Sequence, residues 1–209
     1  MREGIQLIWL EDFGRAVGNH LSRICPNVTM IPAVGLFEEF GQIVVLAAPR
    51  PADDLCELIS RRIYREDKAF VPVIVTGTQI TLGPVIQFGR GTCWNCWRRR
   101  LLQHSRNPEY LQAISEYYTD QSTCGGPLGY LEAIATLVAA HLCQVIDLLN
   151  EGKEVAGTFW RLDCLSWRTT QGSVVGVHDC PVCGLRRNSE TRTYQEMQDK
   201  LSHLWNREM

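Results

Sequence analysis

The sequence predicts an α/β fold with a mostly parallel sheet, antiparallel additions and a four-cysteine zinc site. A strand, a helix and a second strand follow one another over residues 5–31, the βαβ pattern that is typical of a parallel sheet. Alternating polar and apolar residues over 158–166 and 173–178 indicate antiparallel strands. Two pairs of cysteines, Cys93 with Cys96 and Cys180 with Cys183, have the two-residue gap of a zinc site.

Strands and helices alternate in the N-terminal half. Apolar runs predict strands at 5–10, 28–31, 42–47 and 71–76. Helical periodicity predicts helices at 12–24 and 54–64, and Asp53 is the expected N-cap of the second helix. Strands at 78–82 and 85–88 are expected to form a hairpin around Gly83-Pro84.

Helices dominate the next part of the chain. Two are predicted at 94–104 and 108–118, followed by a Gly/Pro-rich turn at 124–127 and a long apolar helix at 128–150. The long helix carries too much polarity for a lone membrane span, so we expect it to be buried in the fold. Its polar residues are Glu132, His141, Gln144 and Asp147.

We divide the chain into three parts of one domain. Residues 1–92 form a degenerate nucleotide-fold half, residues 93–187 are held together by the metal, and residues 188–209 form a helical tail. The tail carries a helical stripe that we expect to pack on its own domain. The residues of the stripe are Tyr194, Met197, Leu201 and Leu204.

Composition restricts the class of protein. The 209 residues are 45% apolar and 21% charged with a formal net charge of −2, which is ordinary globular material and gives no basic excess for nucleic acid. The N-terminus shows no signal-peptide pattern, so we expect a cytoplasmic protein with reduced thiols and no membrane partner. Nine cysteines, an odd number, also suit a complete disulfide framework poorly.

The two cysteine pairs carry the strongest chemical signal. Four thiolates in a tetrahedron suit Zn²⁺, and a two-residue gap lets both sulfurs of one pair reach the same ion. Gly184 permits the positive φ of a zinc knuckle, whereas Cys93 stands at a predicted helix start, where the helix dipole favours a thiolate. With 83 residues between Cys96 and Cys180, the metal would join distant parts of one fold. A pair of disulfides and a redox dithiol are the alternatives.

Other reactive residues are interpreted as structural. Five further cysteines are expected to be mostly small buried hydrophobes, and four histidines are too scattered to form a catalytic group. These residues are Cys25, Cys56, Cys124, Cys143, Cys164, His20, His104, His141 and His178.

The first βαβ unit lacks the residues that bind a nucleotide. A glycine-rich turn should let the phosphates approach the helix N-terminus, but Glu11, Asp12 and Phe13 occupy that turn. Two carboxylates would repel phosphate, and no acidic residue follows the second strand to hold a ribose. We therefore predict a Rossmann-like fold without a nucleotide site, and no catalytic or cofactor-binding residues.

Four segments combine into a recognisable pattern. They are the degenerate βαβ start, the stretch from Val71 through Gly83-Pro84 to Arg100, the helix after Gly125-Gly126-Pro127, and the knuckle from Cys180 to Gly184. Together they resemble the E1-like (ThiF/ubiquitin-activating) superfamily over about residues 5–187. The nearer resemblance is to its branch that partners YcaO-type azoline cyclodehydratases in ribosomal-peptide biosynthesis.

The resemblance implies a truncated Rossmann-like E1-type domain and a function. The family's structural zinc carries onto Cys93, Cys96, Cys180 and Cys183. The branch has lost adenylation and serves precursor leader-peptide recognition and docking or activation of the YcaO enzyme, which consumes ATP to form azolines from Cys, Ser or Thr. We thus expect an accessory subunit in a homodimer or hetero-oligomer. Because the chain starts almost on its first strand, we expect one of three arrangements: another polypeptide binds the leader, the leader binds in a different way, or this protein is only a docking and dimerisation scaffold.

Two alternatives belong to other classes. One is an E1-like adenylating or sulfur-transfer enzyme with Cys124 as acceptor, although a small residue in a Gly/Pro turn also explains Cys124. The other is a zinc-ribbon scaffold that contacts nucleic acid through Arg98, Arg99 and Arg100. Three consecutive arginines on a helix point in three directions, so a solvated face explains them better.

Overall fold

The computed structural model describes residues 4–34, 39–120, 129–177 and 180–184. Helices and strands follow the chain in this order: β1 (Ile5–Trp9), α1 (Glu11–Ile24), β2 (Val28–Pro32), β3 (Ile43–Ala48), α2 (Asp53–Glu66), β4 (Ala69–Thr76), β5 (Gln79–Leu82), β6 (Ile86–Gln87), α3 (Trp94–His104), α4 (Pro108–Asp120), α5 (Glu132–Asn150), β7 (Thr158–Asp163) and β8 (Thr169–Ser173).

The strands of the described residues form one sheet. Strands β2-β1-β3-β4 are parallel in that order, and β5-β7-β8 continue the sheet with antiparallel pairing. The chain runs from β1 to β2 on one side, and β3 then pairs with the other side of β1. This reversal makes the gap between the ends of β1 and β3 the topological switch point of the sheet. The predicted α/β architecture, with parallel strands and antiparallel additions, is confirmed.

Helices cover both faces of the sheet. The first face packs on α1 and α5, and its core includes Leu7, Val17 and Leu142. The second face packs on α2 and α3, and its core includes Phe70 and Ile59 together with the four cysteines of the two pairs. The apolar periodicity of α1 predicted its buried side, because Phe13, Ala16, Val17 and Leu21 are all buried.

Helix α1 lies unusually close to β3. A Cβ atom at Gly14 would lie 2.3 Å from the carbonyl oxygen of Ala47, closer than any real contact allows. Only a glycine therefore permits this approach, and Gly14 serves helix–sheet packing.

The hairpin that we predicted around Gly83-Pro84 is wrong. Strands β4 and β5 form the hairpin, and its turn contains Gly77 at φ +60°. Strand β6 pairs with the same edge of β4 as β5 does, but its register is shifted by one residue. The segment with Gly83-Pro84 is thus a bulge that interrupts one edge. Strand β4 is longer than predicted, so both Gly77 and Gly83 lie close to it. The sequence alone does not indicate which of the two glycines forms the hairpin turn.

Two other expectations also fail. Strand β8 lies at 169–173 rather than at 173–178, and all of its residues are exposed. Because β8 is an exposed edge strand, its residues do not alternate between buried and exposed. A prediction from apolar periodicity therefore placed the strand too far along the chain. Asp53 is the first residue of α2, whose N-cap is Ala52, and its side chain makes no cap hydrogen bond.

Helix α5 was expected to be buried, and it packs against α1 through residues that include Ile134, Val138 and Ile146. Among the described residues it is the one helix with the length and apolar composition of a membrane span, a property that core helices share. The turn at 124–127 and the stripe from Tyr194 to Leu204 lie outside the described residues. The division at residues 92, 187 and 209 stays a prediction.

Candidate functional site

The two cysteine pairs meet beneath the second face of the sheet. Sγ of Cys93 lies 3.7 Å from that of Cys96 and 3.5 Å from that of Cys180, and Cys96 lies 3.4 Å from Cys183. All four sulfur atoms lie within 4.8 Å of one another. Four sulfurs at about 2.3 Å from a central zinc ion would be roughly 3.8 Å apart. The four-cysteine cluster could therefore hold one metal ion.

The separations do not fit the alternative of two disulfides. Bonded sulfurs lie about 2.05 Å apart, well below the shortest distance quoted for the cluster. All four cysteines are free, as are Cys25, Cys56, Cys143 and Cys164. Cys124 lies outside the described residues.

A helix start supplies the first pair. Cys93 is the N-cap residue of α3, and Cys96 lies in the first turn of that helix. The carbonyl of Cys93 accepts the N–H of Trp97 at 3.1 Å, and Ser60 Oγ accepts the N–H of Trp94 at 3.1 Å. These bonds fix the first turn of α3 against α2, as the sequence predicted for a pair at a helix start.

A tight turn supplies the second pair. The N–H of Cys180 donates to Val177 O at 3.2 Å, and the N–H of Gly184 donates to Cys180 O at 2.7 Å. These two bonds curl the backbone around Cys180 and Cys183, so that both sulfurs face the start of α3.

The four sulfur atoms of the cluster are enclosed by the fold and interact with one another. All four cysteines are at most 1% exposed. Hydrogen bonds from the thiols of Cys183 and Cys93, with the N–H of Val177 at 3.2 Å, hold the pKa of Cys96 far below its usual value. The same thiol interactions and burial raise the pKa of Cys93. Because the two thiols share these hydrogen bonds, the lower pKa of Cys96 is matched by a higher pKa of Cys93. A four-sulfur site leaves a zinc ion no position for water or substrate.

An ion pair occupies the switch point of the sheet. Arg50 Nε lies 2.8 Å from Glu11 Oε1, and the Arg50 guanidinium also reaches Tyr118 O at 3.4 Å. Glu11 has φ +53°, a left-handed conformation that favours glycine. Ligands of open α/β sheets bind in the crevice at this point. Here the crevice is bridged by protein side chains, and Phe13 is buried beside it. The expected lack of a nucleotide site stays a prediction.

Sequence analysis missed the role of Asp53. Its carboxylate accepts hydrogen bonds from Trp94 Nε1 at 3.2 Å and from the Ser115 hydroxyl, and it pairs with Arg98 at 3.0 Å. Asp53 therefore joins α2, α3 and α4. The signal available in the sequence was Trp94 and Arg98, which lie one helical turn apart on α3. No residue close to Asp53 in the sequence indicates that these two are its partners. Of the three consecutive arginines, Arg99 is exposed, whereas Arg98 and Arg100 are half-buried.

A groove of about 720 Å³ lies beside the four-cysteine cluster. Helices α3 and α4 wall it, and the antiparallel strands form its floor. Its residues include Ile74, Thr81, Trp97, Leu101, Phe159 and Arg161. Trp97 directly follows Cys96 in α3, so the groove and the cluster share one helix.

The described histidines lie apart from one another, and none of them belongs to the four-cysteine cluster. His20 Nε2 lies 2.6 Å from Glu132 Oε1 and joins α1 to α5. The His141 ring lies 4.9 Å from the ring of Trp160, and burial lowers its pKa. His104 lines the groove, and His178 lies outside the described residues.

The sequence matches no protein-family model and no curated protein. Its fold is similar to that of several solved structures. A heterocyclase in complex with substrate and cofactor matches with a TM-score of 0.64 and 15% identity, over 88% of this chain and 26% of the heterocyclase chain. The chain thus spans about a quarter of the length of that heterocyclase.

Two proteins from E. coli are also similar. The microcin synthetase McbBCD complex contains a chain that matches with a TM-score of 0.64 and 10% identity, over 85% of this chain and 67% of that one. MccB with MccA matches with a TM-score of 0.57 and 15% identity, over 87% and 66%. A further MccB structure with MccA contains AMPCPP. At these identities the shared property is the fold, which agrees with the predicted resemblance to E1-like partners of YcaO-type cyclodehydratases.

Proposed function

We propose that this protein is a non-catalytic accessory subunit of a ribosomal-peptide-modifying cyclodehydratase complex. The observation that carries the proposal is the likeness in fold to a heterocyclase and to a chain of a microcin synthetase complex. The sequence motifs from Val71 to Arg100 and from Cys180 to Gly184 led independently to the same class of protein.

The metal in this proposal is a structural zinc ion held by Cys93, Cys96, Cys180 and Cys183. The four buried sulfur atoms and their separations support one tetrahedral ion. Such an ion ties the turn at 180–184 to α3 and has no open coordination position. Its role is therefore to organise the fold rather than to activate a substrate.

ATP consumption belongs to the partner in this proposal. The ion pair of Arg50 with Glu11 and the burial of Phe13 are the observations that support a switch point without bound phosphate. A YcaO-type enzyme would activate the precursor's backbone amides and form azolines from Cys, Ser or Thr. This chain would support leader-peptide recognition, directly or through another subunit, and would dock or activate that enzyme. We expect a cytoplasmic homodimer or hetero-oligomer.

The second candidate function is an adenylating or sulfur-transfer enzyme with Cys124 as acceptor. The likeness to MccB, which has been solved with AMPCPP, favours it. The bridged switch point argues against it, since a nucleotide would have to displace the Arg50–Glu11 pair.

Reconstitution tests the proposal. The protein, a YcaO-type enzyme encoded beside its gene and the neighbouring precursor peptide are combined with ATP, and loss of water from the precursor is followed by mass spectrometry. We expect cyclisation to require both proteins and ATP, and neither protein to be active alone. Full-rate cyclisation by the YcaO enzyme without this chain would overturn the accessory role, and precursor adenylation by this chain alone would establish the second candidate.

A further inference from the structure

The groove between α3, α4 and the antiparallel strands contains an arginine without a carboxylate. Arg161 projects from β7, and its guanidinium lies 5.8 Å from the ring centres of both Trp97 and Phe159. Its hydrogen bond within the described residues goes to the neutral Thr81 Oγ1 at 3.3 Å. No acidic residue of the described chain forms an ion pair with it.

Arg161 is half-buried. Burial lowers the pKa of Arg161, because the low-dielectric surroundings disfavour its charge. Buried cations are normally paired. The nearby carboxylate of Asp53 is committed to Arg98, Trp94 and Ser115. An anionic group from outside would therefore complete the charge balance of the groove.

Gly172 makes room for the aromatic floor beside Arg161. A Cβ atom at Gly172 would lie 2.9 Å from the ring of Phe159. The glycine lets that ring lie across β8, where it forms an apolar surface that extends to the edge of the sheet. A ligand of the groove therefore meets apolar surface and the Arg161 guanidinium at the same time, and Arg98 and Arg100 also line the groove.

The groove opens at an unpaired sheet edge. Ser173, the last residue of β8, lines the groove together with Val174 and Val175. The N–H of Asp163 donates to Arg168 O and that of Val174 donates to Gly157 O, which sets the alternation of bonds between β7 and β8. By this alternation the main-chain groups of Thr169, Gln171 and Ser173 point away from β7. No strand of the described residues pairs with them.

We propose that this groove binds an extended peptide segment of another protein, with an acidic side chain among apolar ones. The main chain of the peptide adds to the open edge of β8, and its carboxylate pairs with Arg161 between Trp97 and Phe159. An open edge recognises a peptide backbone, which neither a phosphate nor a nucleic acid provides. The half-buried guanidinium of Arg161, which forms no ion pair with the described residues, suits a carboxylate. The inference stands on the groove alone and does not depend on the complex proposed above.

Peptide display on the full-length protein tests the proposal. Phage that carry random decapeptides are selected on the protein, and labelled synthetic copies of the enriched peptides are titrated by fluorescence anisotropy. We expect the enriched peptides to carry Asp or Glu between apolar residues. Arg161→Gln should weaken them at least tenfold, and replacing the peptide's acid by its amide should weaken them equally, with no further loss when both changes are combined. Arg168→Gln removes the same charge from the same hairpin outside the groove and should leave the affinity unchanged.

A photo-crosslinker at Leu101, inside the groove, identifies the occupant. We expect it to capture the selected peptide. Failure to enrich any peptide, enrichment of peptides without an acid, or equal affinity for Arg161→Gln would overturn the proposal. Crosslinking to residues 185–209 of the same chain, or to a second copy, would also overturn it, because the groove would then be a self-contact.

Discussion

Arg50 and Glu11 form an ion pair of 2.8 Å between the ends of β1 and β3, the point at which open α/β sheets of this type bind ligands. The side chain of Arg50 is 11% exposed and that of Glu11 is 42% exposed, so the guanidinium is largely enclosed whereas the carboxylate stays accessible to solvent. The cation also lies 5.4 Å from the ring centre of Tyr118 in α4. Residues of three separate segments thus meet at this point of the sheet.

The first prediction follows from this pair. Calorimetric titration of the isolated protein with ATP and magnesium should show no binding in the micromolar range. The physical reason is that phosphate would have to break the Arg50–Glu11 pair and approach the carboxylate of Asp12. A nucleotide-binding protein under the same conditions serves as the positive control. A saturable signal would instead support the adenylating alternative with Cys124.

The second prediction concerns the metal. Protein purified without added metal should contain about one zinc ion per chain by elemental analysis. Cys180→Ser should lose that ion and much of its thermal stability, because metal binding to a four-thiolate site contributes directly to folding. Cys164→Ser is the matched control, since this half-buried cysteine lies outside the cluster, and it should keep the ion. Wild-type protein without metal would contradict the zinc assignment.

The third prediction concerns Asp53. Asp53→Asn should destabilise the protein by about 2 kcal/mol, because it leaves the partly buried Arg98 without its counter-ion. Chemical denaturation gives the free energy of unfolding. The adjacent Asp54 is exposed, so Asp54→Asn should change it by less than about 0.5 kcal/mol. Equal effects of the two substitutions would show that the contacts of Asp53 contribute little.

The fourth prediction concerns the packing of α1 on β3. Gly14→Ala should cost at least about 1–3 kcal/mol, since its methyl group would collide with the main chain of Ala47. Gly4→Ala meets no atom within 4 Å and is the control. Thermal unfolding of both variants is the measurement. If Gly14→Ala unfolds at the same temperature as the wild type, α1 does not approach β3 closely at Gly14.

Sequence patterns correctly predicted the features that depend on interactions between residues close together in the chain. Helix α3 begins and ends where its periodicity indicated, and the buried side of α1 follows from the spacing of its apolar residues. Thiolate spacing was also sufficient to choose four cysteines out of nine, because ligand geometry restricts the gap within each pair. These properties depend on residues within a few positions of one another.

Long-range partners were not predictable in the same way. Asp53 was assigned to a helix cap, because its partners Trp94, Arg98 and Ser115 lie some 40 to 60 residues away. Strand β8 has no buried side and therefore no periodicity. The bulge at Gly83 depends on the length of β4, and the Arg50–Glu11 pair depends on the order of strands in the sheet.

The spacing of the four cysteines along the chain also determines when, during synthesis, all four are present to bind a metal ion. Cys93 and Cys180 lie 87 residues apart, as do Cys96 and Cys183. During synthesis the first pair leaves the ribosome long before the second exists, while the parallel strands β1 to β4 are already complete. Strand β7, which pairs with β5, arrives in the same late interval. Metal capture by all four cysteines and closure of the antiparallel half therefore both wait for the last part of the chain, and until then Cys93 and Cys96 lack their two partner thiols.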